Sequence, residues 1–257
     1  MKSLLVASFL LALADPTAAQ SVERVAPDLM RRIAPGLAGY TDEVLFGDVW
    51  KRPGLASRDR SLVTVSALIA TGKAGQLTGH LGRALDNGVK PVEIGEVVTH
   101  LAFYSGWPSA VSALPVIDQV FRQRGIDDAA LRPSQGERIP LPASDRTRAA
   151  SVHEQVAPAA PKLAELTNGV LFEDLWRRPD LSPRDRSLVT IAALTAGGDA
   201  VQLTFHVRRG LENGLTREEV TEAITHLAFY AGWPKAFSAL PVATKAMAEA
   251  DGKASRR

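Results

Sequence analysis

The sequence predicts an all-α protein built from two tandem copies of one helical unit. Three observations lead there. Residues 46–116 reappear as residues 172–242 without a gap, and 43 of the 71 paired positions are identical, which makes the chain a true duplication. Apolar residues recur at helical spacing between clear start and stop signals. No alternating run or hairpin dipeptide argues for a strand.

Each unit reads as a series of helices. Two amphipathic helices lead, at about residues 22–33 and 37–50 in the first copy. The next helix takes Ser57 as its N-cap, and its second copy opens with Ser182 followed by Pro183. It carries Leu62, Val63, Val65, Ala67, Leu68 and Ile69 and stops at Gly72, so it is expected to be buried and central. A helix over about residues 74–86 ends at Asn87-Gly88, and Asn213-Gly214 repeats that stop. A further helix runs from Lys90 to Tyr104 and ends at Gly106; in the second copy Thr216 and Glu219 form a capping-box pattern. Pro108 opens the last helix, Ser109 to Arg124, which Gly125 closes.

The remaining segments are not repeat. Lys2, the apolar run 4–14 and the small residues around Ala19 predict a signal peptide over residues 1–19, cut near Ala19–Gln20. The mature protein is then expected to be exported, periplasmic or secreted, with no membrane attachment after cleavage. The first unit spans 20–125 and the second 148–250. Between them residues 126–147 carry Pro133, Gly136, Pro140 and Pro142 and read as a linker. Residues 251–257 read as a frayed tail.

Composition narrows the chemistry. The chain has 257 residues, 30 Lys+Arg against 28 Asp+Glu, and no cysteine. A net charge of +2 gives no electrostatic case for nucleic acid. Without thiols there are no disulfides, thiolate metal sites or cysteine redox steps.

Polar residues repeat on two helices. Gln76, His80 and Arg83 share one helix face, and Gln202, His206 and Arg209 repeat the triplet. Glu96, His100 and Tyr104 are spaced i, i+4, i+8, and Glu222, His226 and Tyr230 repeat them. His100 and His226 beside their glutamates read mainly as satisfied interface residues in a supporting role. Trp107 and Trp233 read as core plugs or as pocket walls. Arg58 and Arg60, with Arg184 and Arg186, read either as ion-pair partners across an interface or as anion receptors. No HxxxH or HxxE pair is present, so no metal site is expected.

The strings Arg58-Asp59-Arg60-Ser61-Leu62-Val63-Thr64, Gln76-Leu77-Thr78-Gly79-His80, Asn87-Gly88 and Thr99-His100-Leu101-Ala102-Phe103-Tyr104, followed by Gly106-Trp107-Pro108, resemble the carboxymuconolactone decarboxylase family in both repeats. The likeness is strongest to its 4-carboxymuconolactone decarboxylase branch. It implies an all-α fold whose single-unit subunits form a hexameric ring, so that three tandem chains would mimic the ring as a homo-oligomer. Alkylhydroperoxidase-like members of the family use a Cys-x-x-Cys pair and a following His. By that register His80 and His206 match the His, Lys73 and Gln76 (Asp199 and Gln202) stand at the cysteine positions, and Ser61 and Ser187 replace a relay glutamate. Thiol peroxidase chemistry is therefore excluded.

The resemblance implies a lyase that releases CO2 from an unsaturated lactone carboxylate and needs no cofactor, because the substrate carries its own electron sink. On that reading His80 and His206 are the catalytic proton donors, chosen because imidazole titrates near neutral pH. Arg58, Arg60, Gln76, Tyr104, Trp107, Arg184, Arg186, Gln202, Tyr230 and Trp233 are the substrate-binding candidates. The imidazoles are expected to face a sheltered pocket with a guanidinium near. The alternatives are an isomerase or lyase of lactone or keto acids on the same scaffold, and a non-catalytic ligand-binding homologue.

Overall fold

A computed structural model describes residues 24–254. The signal segment lies outside the described residues. Among the described residues every regular element is helical. The described residues divide into two compact units, with the boundary between Val49 and Trp50.

In the first unit, α1 (Asp28–Ile33) and α2 (Pro35–Gly39) lead into a π-helical turn, Tyr40–Leu45. The sequence reading placed a continuous helix over residues 37–50. The chain instead breaks it into short pieces, because Gly36, Gly39 and Gly47 weaken any long helix here. Asp42 organises this unit. Its carboxylate accepts from the backbone N–H groups of Val25 (2.8 Å) and Ala26 (2.7 Å) and pairs with Arg31 at 2.7 Å. The Ala26 amide, with Arg31, holds the carboxyl below its ordinary range.

The second unit contains the central helices of both repeats. Those of the first repeat are α3 (Ser57–Ala70), α4 (Leu77–Asp86), α5 (Pro91–Ser105) and α6 (Trp107–Gln123). After a 3-10 turn at Asp128–Leu131, residues 132–143 run without a helix. The second repeat continues with α7 (Asp145–Val156), α8 (Pro161–Leu166) and a π-helical turn, Thr167–Phe172. It closes with α9 (Pro183–Gly197), α10 (Ala200–Glu212), α11 (Arg217–Ala231) and α12 (Trp233–Ala254). Helix α12 thus runs past Ala250, where the tail was expected to begin.

Helices α3 and α9 are the centre. In α3 every residue from Asp59 to Ile69 is buried, as the apolar character on all sides required. The two helices pack on each other, α5 packs on α9, and α11 packs on α3. Each repeat therefore lays its third shared helix on the other repeat's central helix, and one continuous apolar core runs from Leu55 to Met247.

Local signals explain most boundaries. Thr216 and Glu219 close a capping box with bonds of 3.1 and 2.8 Å. Gly106 (φ +84°) and Gly232 (φ +95°) stop α5 and α11 in a backbone conformation that side chains resist. The cap of α3 differs from the expectation. Ala56 is the N-cap and Ser57 already lies inside the helix, whereas Ser182 does cap α9, accepting from the Asp185 N–H at 3.1 Å. The repeat register gives the reason: Ser182 pairs with Ala56, and Ser57 pairs with Pro183.

Candidate active site

Two equivalent clusters form where α4 meets α11 and where α10 meets α5. In the first, His80 on α4 lies parallel to the Trp50 indole, ring centres 6.1 Å apart, and meets Tyr230 of the other repeat edge-on at 5.2 Å. The Trp50 indole N–H donates to the Tyr230 hydroxyl at 2.9 Å. The Arg83 guanidinium lies over the same indole at 5.1 Å. In the second, His206 on α10 stacks with Trp176 at 5.9 Å and meets Tyr104 at 5.1 Å, and the Trp176 N–H donates to the Tyr104 hydroxyl at 2.9 Å. Each cluster thus takes its imidazole, indole and guanidinium from one repeat and its phenol from the other. Burial raises both phenol pKa values, Tyr230 to about 12, so both stay protonated.

A second imidazole lies behind each phenol. The His226 and Tyr230 rings are 5.0 Å apart, and the His100 and Tyr104 rings are 4.9 Å apart. The Thr64 hydroxyl donates its one proton to the Arg60 carbonyl (2.8 Å), so it accepts from His226 Nε2–H at 2.8 Å. Thr190 repeats this, donating to the Arg186 carbonyl (2.7 Å) and accepting from His100 Nε2–H (2.8 Å). His100 and His226 are fully buried, fixed in one tautomer and neutral. Burial first, then Arg60, pushes His226 down to about 3; burial first, then Arg186, pushes His100 well below its ordinary value. Each imidazole is thus held by a threonine hydroxyl from the other repeat rather than by Glu96 or Glu222, and its ring packs against the phenol.

Of the two readings of the arginines, the ion pairs across the interface are the one the contacts bear out. Arg60 and Arg186 are wholly buried. Arg60 donates to Glu222 (2.8 Å) and to the Arg52 carbonyl (2.6 Å); Arg186 donates to Glu96 (2.7 Å) and to the Arg178 carbonyl (2.9 Å). Arg58 spans Glu93 (2.8 Å) and Asp185 (3.0 Å), and Arg184 spans Asp59 (2.6 Å) and Glu219 (2.5 Å). All four guanidiniums hold the repeats together and are not anion receptors. Burial alone would raise the Glu96 and Glu222 carboxyls, but their arginines outweigh it and hold both below the ordinary range. The cations beside His80 and His206 are Arg83 and Arg209 instead, the third members of the repeated triplets.

Other candidates separate from the imidazoles. Trp107 (57% exposed) and Trp233 (52%) lie on the surface against Phe103 and Phe229. They are neither core plugs nor walls of these clusters, because each follows a helix-ending glycine that turns it outward. Gln76 and Gln202 are exposed, one turn before the imidazoles. Two surface concavities, of about 200 and 300 Å³, are lined by residues between 133 and 180, and no imidazole borders either. His80 and His206 sit in aromatic clusters. Trp50 and Trp176 were missed as site residues. The available signal was that all four tryptophans occupy repeat-equivalent positions.

The imidazole pKa values are also corrected. Burial first, then Arg83, lowers His80 to about 4; burial first, then Arg209, lowers His206 to about 3. Both rings are neutral at pH 7. Because the folded values lie below the unfolded value near ~6.5, the unfolded chain binds more protons between those limits, and stability falls as pH drops through ~6.5. Each such ring should cost about 2 kcal/mol by pH ~5. The melting temperature is expected to fall by roughly 10 °C or more between pH ~7.5 and ~5. An unchanged value by calorimetry would mean that the rings are not held neutral.

The carboxymuconolactone decarboxylase family profile matches residues 35–119 and again residues 161–245. Among curated proteins, a 4-carboxymuconolactone decarboxylase of Acinetobacter baylyi is 40% identical over 87 residues, covering 34% of this chain and 65% of that protein. A nitrosuccinic acid decarboxylase of Metarhizium robertsii is 42% identical over 74 residues, covering 29% of this chain and 52% of that protein. The chain thus spans less than two thirds of the length of either relative. A solved structure described as a gamma-carboxymuconolactone decarboxylase subunit from Burkholderia xenovorans superposes with a TM-score of 0.54 at 20% identity, covering 89% of this chain and 90% of that one. It shares the fold. With the profile matched in both repeats, over more than half of its length, the chain belongs to the carboxymuconolactone decarboxylase family.

Proposed function

We propose that the chain is a carboxy-lyase that removes CO2 from a small organic anion whose carboxylate is activated by a neighbouring electron sink, with no cofactor. The observation that carries this is the convergence of imidazole, guanidinium and phenol at His80, Arg83 and Tyr230, on an aromatic wall. The names of the relatives support it. Carboxymuconolactone and nitrosuccinate share a carboxylate and an electron-withdrawing group, lactone in one and nitro in the other.

The chemistry follows from charge. An anion docks beside Arg83, and its negative charge raises the His80 pKa from about 4, so the ring takes up a proton. The carbon–carboxylate bond breaks and CO2 leaves. The electron pair moves into the sink, where the Tyr230 hydroxyl can donate to the developing oxyanion. The imidazolium then delivers its proton to carbon, forming the C–H bond and restoring neutral His80. Anion and one proton become product and CO2. The apolar ring faces favour dispersal of the carboxylate charge.

Purified protein should release CO2 from 4-carboxymuconolactone or nitrosuccinate. Formation of a rearranged product without CO2 would favour an isomerase, and tight binding without product a binding protein. Because the free ring is neutral, kcat/KM should fall about tenfold per pH unit from pH ~6 to ~8. A flat profile would contradict the imidazolium step.

Assembly is also proposed. Trp107, Val111 and Leu114 form an exposed apolar strip on α6, and Trp233, Phe237 and Leu240 repeat it on α12. Paired strips of this kind support a homo-oligomer of tandem chains.

A further inference from the structure

The two clusters are not equal, and we propose that turnover comes from the first alone, because Phe205 seals the second. The inference rests on the carboxy-lyase reading. In the repeat register Phe205 stands where the first copy has Gly79. The Phe205 ring meets His206 edge-on at 4.9 Å and also meets Phe172 at 6.0 Å. His206 is left 7% exposed, whereas His80 is only half-buried. A side chain at Gly79 would begin in open space, with nothing within 4 Å of its Cβ. Among the described residues, no side chain therefore fills beside the first imidazole the position that Phe205 fills beside the second.

The cation of the second cluster is also already paired. Arg209 is 1% exposed and pairs with Asp145 at 2.7 Å. Asp145 also takes Arg148 through two bonds of 2.9 Å, and the Arg148 guanidinium lies over Phe172 at 3.8 Å. A carboxylate of the chain itself already occupies the cation that an anionic substrate would seek. A substrate for the second cluster would have to displace Asp145 and leave it buried without Arg209, which is costly. The second cluster is a fixed copy of the site that braces the fold.

Two readouts test this. Carbethoxylation by diethyl pyrocarbonate at pH ~7, mapped by peptide mass spectrometry, reports access to neutral imidazoles independently of any activity. His80 and the exposed His153 should react, while His100, His206 and His226 should be protected. Phe205→Gly should make His206 react, and Gly79→Phe should protect His80. Equal labelling of His80 and His206 in the unaltered chain would overturn the proposal. The second readout is CO2 release. Gly79→Phe should abolish turnover. Turnover by Gly79→Phe at half the normal rate or more would contradict a single working site. If no carboxylate is turned over, the lyase reading fails, while the labelling pattern still decides whether the second cluster is sealed.

Discussion

Replacing Glu96 by glutamine should destabilise the protein by about 3–5 kcal/mol. Glu96 is 3% exposed and accepts from Arg178 at 2.6 and 3.0 Å and from Arg186 at 2.7 Å. Arg186 has no exposure, and Glu96 is the carboxylate that pairs with it directly, at 2.7 Å. An amide of the same shape keeps the packing and removes the counter-charge, leaving a buried guanidinium uncompensated. Because Glu96 and Arg186 belong to different repeats, the loss falls on the docking of one repeat on the other. Urea unfolding should show a large fall in midpoint for Glu96→Gln and a similar one for Glu222→Gln. Asp118→Asn, in an exposed pair with Arg122, should change stability by less than ~0.5 kcal/mol. A loss below ~1 kcal/mol for Glu96→Gln would show that the buried pair is dispensable.

His80→Ala should lower kcat by about 10²–10⁴-fold with a smaller change in KM. The ring is proposed to act on the reacting carbon, while anion binding falls mainly to Arg83, so the loss belongs to the chemical step. The fold should survive, because His80 is half-buried and is held by ring contacts with Trp50 and Tyr230. Added imidazole should restore part of the rate by entering the space left beside Trp50. A change confined to KM would move the proton donor elsewhere.

The helical fold was largely legible in the sequence. The Asn-Gly stops, the Thr216 capping box and the buried character of α3 depend on neighbours within a few residues, and they appear where local chemistry places them. His80 and His206 stood out because a polar residue recurs on one helix face in both copies. What the sequence concealed depends on contacts between the repeats. Arg60 reads equally as an ion-pair partner or as an anion receptor until Glu222, 162 residues away, is brought to it. Tyr230 and Trp50 are 180 residues apart, so their bond could not be read from spacing. The lowered imidazole pKa values come from burial, which residue identity does not reveal. The inequality of the two clusters was written in the sequence as Gly79 against Phe205, but its meaning needed the ring geometry.

The most direct test of the central claim follows CO2 from carboxyl-labelled 4-carboxymuconolactone and nitrosuccinate, with the unaltered protein and His80→Ala side by side. The account predicts labelled CO2 in step with substrate loss for at least one of the two, and near-complete loss of that release in the variant. Release at equal rates from both proteins, or none above buffer from either compound, would contradict it.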